Sequence, residues 1–319
     1  MNTEKLADIT KQIKAEALRL GFAACGASPA AEVDAPHRHN LERWLAEGCE
    51  ADMAYMAANT DKRCDPRLLV EGARTVLSVA MNYYPSQFIP KESYQLAWYA
   101  YGEDYHTVMK EKLFQLLAFV KEVLPQVKEC RAFCDTAPLL ERYWAWRGGL
   151  GWIGKNTLLI IPRAGSTFFL GELVIDQPLT YDEPMKSRCG NCTRCLDACP
   201  TKALVEPYRL DARRCLSYLT IENRGEIPTE AAACMGNCIY GCDRCQQACP
   251  WNRYAEPCHE ERFTPRQSLL SMTPAQWDNL TVEQYRTLFK GSAVKRAKYE
   301  GLMRNIRSRS QGQEDKGEV

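Results

Sequence analysis

Residues 189–200 read CGNCTRCLDACP, and residues 241–250 read GCDRCQQACP. The first stretch places Cys189, Cys192, Cys195 and Cys199 in the pattern C-x2-C-x2-C-x3-C, followed by Pro200. That is the spacing by which bacterial ferredoxins hold a [4Fe–4S] cluster, the fourth thiolate serving the other cluster of a pair. The second stretch repeats it with Cys242, Cys245, Cys249 and Pro250, but Ile239 stands where the leading cysteine belongs. Cys215, Cys234 and Cys238 lie between the two stretches, and any of them could complete a second cluster. A zinc site would favour two C-x2-C pairs or added histidines. The repeated C-x3-C-P tail argues for two clusters instead.

The rest of the chain fits an intracellular redox protein. It has 319 residues, enough for one large domain and a smaller module, and 45% of them are hydrophobic, so a core can form. Sixteen cysteines clustered in so long a chain suit metal ligation better than a disulfide scaffold. The net charge of +1 points to no class of partner, so only local charge is informative. The N-terminus is charged, lacks the apolar stretch of a signal peptide, and no apolar run is long enough to span a bilayer. A cytoplasmic location is expected.

Read in order, residues 3–20 carry apolar side chains at helical spacing up to Gly21, and Phe22–Ser28 reads as a buried strand. A helix is expected over Leu41–Ala58, with Trp44, Leu45, Met53 and Met56 in the core. DKRCDPRLL (residues 61–69) reads as a charged loop. Thr75–Pro85 is an apolar strand, a helix follows Tyr99–Met109, and His106 beside its start reads as structural. After a strand over Cys130–Cys134, Asp135 is either a helix N-cap or an acid at a strand end. Leu139–Trp146 is expected to be helical.

Gly149, Gly151 and Gly154 spell G-x-G-x-x-G, and Gly149–Lys155 nearly spells a phosphate loop. Both fail on context, because a strand follows the glycines and Asn156 replaces the Mg²⁺-binding hydroxyl. The reading is a helix stop whose free amides could meet a cofactor's polar edge. Strands are expected at Thr157–Ile161 and Ser166–Asp176, and short helices after Trp251. Residues 286–309 hold eight basic residues against Glu300, either a solvated face or a phosphate contact. The tail SQGQEDKGEV reads as disordered.

Two clusters carry single electrons and do little organic chemistry. About sixty residues suffice for a ferredoxin, yet roughly 180 precede these clusters. The inference is a reductase in which the clusters feed a second redox centre.

The blocks ARTVLSVAMNYYP, YGEDYH, DTAPLLERYWAWRGGLGWIGKNTLLI, CGNCTRCLDACPTKAL, CLSYLTIENRG, IYGCDRCQQACPWN and FKGSAVKRAKYEGLMRN, in this order, resemble those of the epoxyqueuosine reductases. The likeness runs from the first helix to about Arg304. That family is related to the reductive dehalogenases. It uses cobalamin and two [4Fe–4S] clusters to remove the epoxide oxygen of epoxyqueuosine at the tRNA wobble position, the last step to queuosine. The resemblance implies Asp135 as proton donor. It gives one cluster to Cys189, Cys192, Cys195 and Cys249, and the other to Cys199, Cys215, Cys242 and Cys245. It puts base-off cob(II)alamin near Arg63, Ala97, Asp135, Lys155, Asn156, Thr157, Ser217 and Asp243, and tRNA near Arg224, Lys295, Arg296 and Lys298. Ala97 occupies a position where some members carry a cysteine near cobalt, so that thiol is not essential. Cys238 stands where the family usually has arginine, and Cys234 is a second departure. Both compete on paper with Cys215.

The resemblance implies a mixed α/β fold: a nitroreductase-like cobalamin domain (1–180), a ferredoxin-like di-cluster module (181–260) and a basic helical segment with a disordered tail (261–319). Longer members add a helical-repeat domain, so here the tRNA grip is expected from the core and from Lys290–Arg309. A flavodoxin or ferredoxin is the expected electron donor, and a monomer the expected state. A corrinoid reductase of a small molecule and a plain electron carrier are the alternatives. An acid at Asp135 is expected to need a desolvated setting that raises its pKa.

Overall fold

The computed structural model describes residues 2–314. Its first helix, α1 (Thr3–Arg19), buries Ile9, Ile13 and Ala17 on one stripe. Asn2 caps it by accepting from the Lys5 amide at 2.9 Å, and Gly21, at φ +94°, turns the chain out of it. Strand β1 (Ala24–Pro29) follows, then α2 (Ala35–Ala46) and the single turn α3 (Thr60–Cys64). Next come β2 (Thr75–Asn82), the two-residue β3 (Gln95–Leu96), α4 (Tyr105–Val123) and β4 (Cys130–Phe133). Then α5 (Glu141–Arg147), β5 (Trp152–Ile153), β6 (Leu159–Ile160) and β7 (Phe168–Ile175) complete the first part of the chain.

Strands β1, β2, β7 and β4 form one antiparallel sheet in that order. Alternation along β2 and β7 decides its two faces. Leu77, Val79, Met81 and Leu173 face α1 and α4, where Ile13, Met109 and Leu113 complete the main core. Val76 and Val174 face α5, and pack with Tyr143 and Trp144. The fold is therefore a sheet between helical layers.

The cysteine-rich stretch is built of short pieces. They are α6 (Arg194–Asp197), β8 (Leu204–Glu206), β9 (Arg209–Leu210), α7 (Leu216–Ile221), α8 (Thr229–Met235), β10 (Cys238–Tyr240) and α9 (Arg244–Gln247). β10 pairs in parallel with β3, so this stretch is stitched to the chain before α4. The remaining helices are α10 (Gln267–Leu270), α11 (Pro274–Asp278), α12 (Val282–Leu288) and α13 (Lys298–Glu314). Trp277, Phe289, Leu302 and Ile306 from them share a core with Tyr94, Tyr101 and Tyr240.

Several sequence expectations need correction. The helix expected over Leu41–Ala58 ends at Ala46, because Gly48 turns the chain at φ +65° and only a short 3-10 turn, Ala54–Met56, follows. Trp44, Leu45, Met53 and Met56 are half-buried rather than core. Trp44 and Met53 lie against the Leu216–Leu219 cluster. The charged segment at 61–69 is not a loop but α3 and a second 3-10 turn, Pro66–Leu68, and it buries Arg63. The tail expected to be disordered begins as helix, since α13 runs to Glu314; its last five residues lie outside the described ones. No helix among the described residues is long and apolar enough to cross a membrane.

Candidate active site

All sixteen cysteines are free thiols, and eight of them gather in two quartets. Cys189, Cys192, Cys195 and Cys249 line one cavity of about 100 Å³, with Lys155, Asn156, Arg188 and Trp251 among its other walls. Lys155 fastens the cysteine loop by donating to the carbonyls of Gly190 (2.7 Å) and Cys192 (3.0 Å). In the second quartet, burial and then the nearby charges of Cys242, Cys215 and Cys199 push the Cys245 thiol well up. Burial likewise lifts Cys215 to about 11; the amides of Tyr218 and Ser217 oppose the shift, and Cys242 and Cys199 add to it. The C-P cysteines thus cross over: Cys199 sits with the second quartet and Cys249 with the first.

Among the described residues no three His, Cys, Asp or Glu side chains close on a point as the ligands of a single ion do. Of the three cysteines that could complete the second quartet, Cys215 is the one that faces both Cys199 and Cys242. Cys238 is buried, donates to the Gly241 carbonyl at 2.6 Å and hydrogen-bonds Cys242, which holds the Cys242 thiol down near 6. The backbone carbonyl of Cys234 accepts from Arg244 at 2.7 Å.

Asp135 lies in the turn that leaves β4, at φ +56°. It does not cap a helix, since α5 opens six residues later with Leu140 at its cap position. Its amide donates to Glu141 Oε1, and its Oδ2 accepts from the Tyr105 hydroxyl. His106 Nε2 is 3.4 Å from the same oxygen, while its Nδ1 is 2.7 Å from Asp104. The Asp135 side chain keeps 56% of its surface open, with enough protein around it for desolvation to weigh on its charge. Burial does push its pKa up, as expected. The hydrogen bonds from His106 and Tyr105 outweigh burial and leave Asp135 below the ordinary carboxylate value. The expectation of a raised pKa is therefore corrected: the resting carboxylate is ionised. The proton sits on His106, where hydrogen bonds to Asp104 and Asp135 overcome burial and lift the imidazolium to about 9. His106, read from sequence as structural, belongs to the site. The only hint in the sequence is its place beside Asp104 and Tyr105.

Other expected contacts scatter in role. Arg63 is buried, donates through Nη2 to the Tyr55 carbonyl at 2.8 Å, and its Nε has no partner. Asn156 is buried with Nδ2 unpartnered. Thr157, at φ +65°, receives Arg142 on its carbonyl at 2.6 Å. Burial raises the Tyr55 phenol pKa, Glu222 and Asp135 add to the shift, and Arg296 and Arg63 oppose it. Ser217 is half-buried on α7 beside Cys215. Asp243 is interior, accepting from the Trp98 amide at 2.7 Å, and burial followed by the charge of Cys242 lifts it to about 7. The Ala97 amide donates to the Tyr240 carbonyl at 2.7 Å, in close contact with Gly241.

In the glycine run, the Gly149 amide already donates to the Trp146 carbonyl at 3.0 Å. A Cβ on Gly151 would fall 2.1 Å from the Ile160 carbonyl oxygen, so the glycine there permits β5 and β6 to close. The Gly154 amide is already bonded to Leu158 at 2.8 Å. Of the expected tRNA contacts, Lys295 and Lys298 are exposed. Arg296 is held by Glu222 in a two-pronged pair (2.8 and 2.6 Å), and Arg224 donates to the Arg296 carbonyl at 3.0 Å. The basic run is not one solvated face. Arg304 is buried on the carbonyls of Leu219, Asn223 and Gly225, and Arg309 stacks on Tyr94.

Residues 188–252 match the family described as a 4Fe-4S double cluster binding domain, and residues 63–136 match that described as epoxyqueuosine reductase QueG, DUF1730. An epoxyqueuosine reductase of Cellulophaga algicola is 48% identical over 309 residues, covering 96% of this chain and 99% of that protein. A crystal structure of epoxyqueuosine reductase with an epoxyqueuosine-modified tRNA-Tyr stem loop superposes with a TM-score of 0.88 at 27% identity, over 97% of this chain and 83% of that one. A Bacillus subtilis epoxyqueuosine reductase, with its aspartate-bearing catalytic loop swung out of the active site, superposes at 0.86 and 27% identity over the same shares.

Proposed function

The chain belongs to the epoxyqueuosine reductase family, and we infer that its cleft reduces the epoxide of epoxyqueuosine in tRNA to the alkene of queuosine. The observation that carries this reading is the meeting of two thiol quartets with one ionised, proton-linked acid site in a single chain. The reaction breaks both carbon–oxygen bonds of a three-membered ring. It takes up two electrons and two protons, and the oxygen leaves as water.

The eight cysteines of the quartets are suited to hold two [4Fe–4S] clusters, which pass electrons singly. Arg63, with an unpartnered Nε, and Asn156, with an unpartnered Nδ2, are donors for the amide side chains of a corrin ring. Cobalamin bound there would supply the strongly reducing centre that the reaction needs. The chain's own residues handle the proton. Tyr105 and His106 orient Asp135 Oδ2, and His106 stores the proton 3.4 Å away. As charge grows on the epoxide oxygen, Asp135 relays that proton to it, a general-acid step of about 10²–10⁴-fold. Lys295 and Lys298 suit the tRNA backbone. The electron donor is an acidic one-electron carrier such as a flavodoxin or ferredoxin, and tRNA as substrate agrees with a cytoplasmic enzyme.

The test is anaerobic reconstitution with iron, sulfide and cobalamin, followed by nucleoside analysis of epoxyqueuosine-containing tRNA. Conversion to queuosine supports the reading, and fully loaded protein that leaves the epoxide intact refutes it.

A further inference from the structure

Glu172 lies in the middle of β7, in the otherwise apolar run FFLGELVI. It is fully enclosed, and neither carboxyl oxygen has a hydrogen-bond partner. Its neighbour Gly171 shows which way it points. A Cβ on Gly171 would press against Met109 and Leu113 of α4, so Glu172 faces the opposite side, under α5. Directly across the sheet stand Ser78 on β2, whose hydroxyl is also unpartnered, and Phe133 on β4.

The groups that bear on Glu172 come from every element packed on that side. Glu141 opens α5, and after burial itself its charge weighs most on Glu172, followed by that of Asp135. Cys134, at the end of β4, is exposed to the fields of Glu141, Asp135, Glu172 and, from α4, Lys110. Arg142 and His106 act on Glu141 from α5 and α4 and favour its charged form. Arg142, the basic side chain next to Glu141 on α5, spends its hydrogen bonds on Thr157. An ionised Glu172 would thus be a dry carboxylate, unpartnered, beside two other acids. Such a site disfavours the charged form strongly. Burial pushes Glu172 well up and Glu141 to about 8, so the pair carries a proton at neutrality.

We propose that Glu172 keeps a buried proton behind Glu141, and that Glu172 is thereby the positioning residue for Asp135. Glu141 Oε1 accepts from the Asp135 amide, and that bond helps fix a residue held at positive φ. Neutral Glu172 behind it lets Glu141 keep this contact without a second full negative charge at the back of the cleft. When that proton is lost, repulsion among three carboxylates favours release of the Asp135 turn. The inference rests on the reading of Asp135 as the proton-delivering group.

The test uses reconstituted full-length protein without substrate. Infrared difference spectra on deuteration should show a protonated, buried carboxyl in the wild type at neutral pH, lost in Glu172→Gln. An unchanged band in that variant overturns the proposal, whether or not the wild type turns over epoxide. In single turnover, Glu172→Gln, which remains neutral, should keep the wild-type rate near neutrality. Glu172→Val should lower kcat, with KM unchanged, on the order of a hundredfold, as expected of a misplaced reacting group. A Glu172→Val rate equal to that of the wild type also overturns it. Absence of turnover in the wild type alongside the expected infrared result would instead refute the reaction and leave the buried proton standing.

Discussion

His106 Nε2 lies 3.4 Å from Asp135 Oδ2, so the first turn of α4 and the turn after β4 share one proton site. The imidazolium is stable to about pH 9, and the carboxylate is held below its ordinary range. The stored proton is therefore present at neutrality and lost as pH rises through the His106 value. Single-turnover rate should be level near neutrality and fall toward about pH 9. His106→Gln should be slower at all of these pH values and lack that limb. A variant with the wild-type profile would remove His106 from proton storage.

The second thiol quartet predicts an iron count. Cys215→Ala should leave the cavity of Cys189, Cys192, Cys195 and Cys249 intact and disrupt only the other quartet. Reconstituted variant should carry about four irons per chain instead of about eight. Retention of about eight would mean that Cys238, already bonded to Cys242, takes the vacant place.

Stability should fall as pH rises. The unfolded chain releases the Glu141 proton near its ordinary value of about 4.3, whereas the folded protein keeps it to about 8. Between those values the native state binds more protons, so each rise in pH favours unfolding. His106 acts in the same direction: its contribution is whole below about 6.5 and lost as pH passes about 9. Calorimetry of the loaded protein should show a steadily decreasing Tm across this range, and Glu141→Gln should flatten its lower half. A Tm that climbs with pH would contradict the assignment.

The basic C-terminal run divides into two classes. Arg304→Ala would strand the carbonyls of Leu219, Asn223 and Gly225 and cost on the order of 3 kcal/mol. Lys295→Ala and Lys298→Ala should change stability by no more than about 0.5 kcal/mol. Each should instead lower the salt slope of tRNA binding by about one. Filter binding across a salt series, paired with melting curves, separates the two. Equal losses of stability in all three would contradict the division.

Seven of the eight quartet thiols were legible because cluster ligation is written in local spacing, and the crossing of Cys199 and Cys249 follows from that pattern; Cys215 was one of three candidates by spacing and was singled out by the family resemblance. The sheet was legible as well, since β2 and β7 are long, apolar and rich in β-branched side chains. What escaped depends on contacts between distant residues. His106 becomes part of the site only when α4 meets the end of β4, 29 residues on by sequence number, and its neighbours cancel the pKa shift that burial alone would give Asp135. Arg304 and Arg309 look like a solvated charge run until α13 packs against α7, α8 and β10. Glu172 did leave a trace, as a lone acid in an apolar strand, but its company under α5 is set by the register of β2, β7 and β4.

Asp135→Asn preserves size and hydrogen bonding but cannot relay a proton, so it isolates the reacting group from the scaffold. Reduced, fully loaded wild type and Asp135→Asn should be mixed once with an epoxyqueuosine-bearing stem loop, and the nucleoside followed by mass. The wild type should lose one oxygen atom to give queuosine, while the variant, with both clusters, cobalamin and stem-loop binding intact, should slow by at least about a hundredfold. Conversion by the variant at the wild-type rate would contradict the assignment of Asp135.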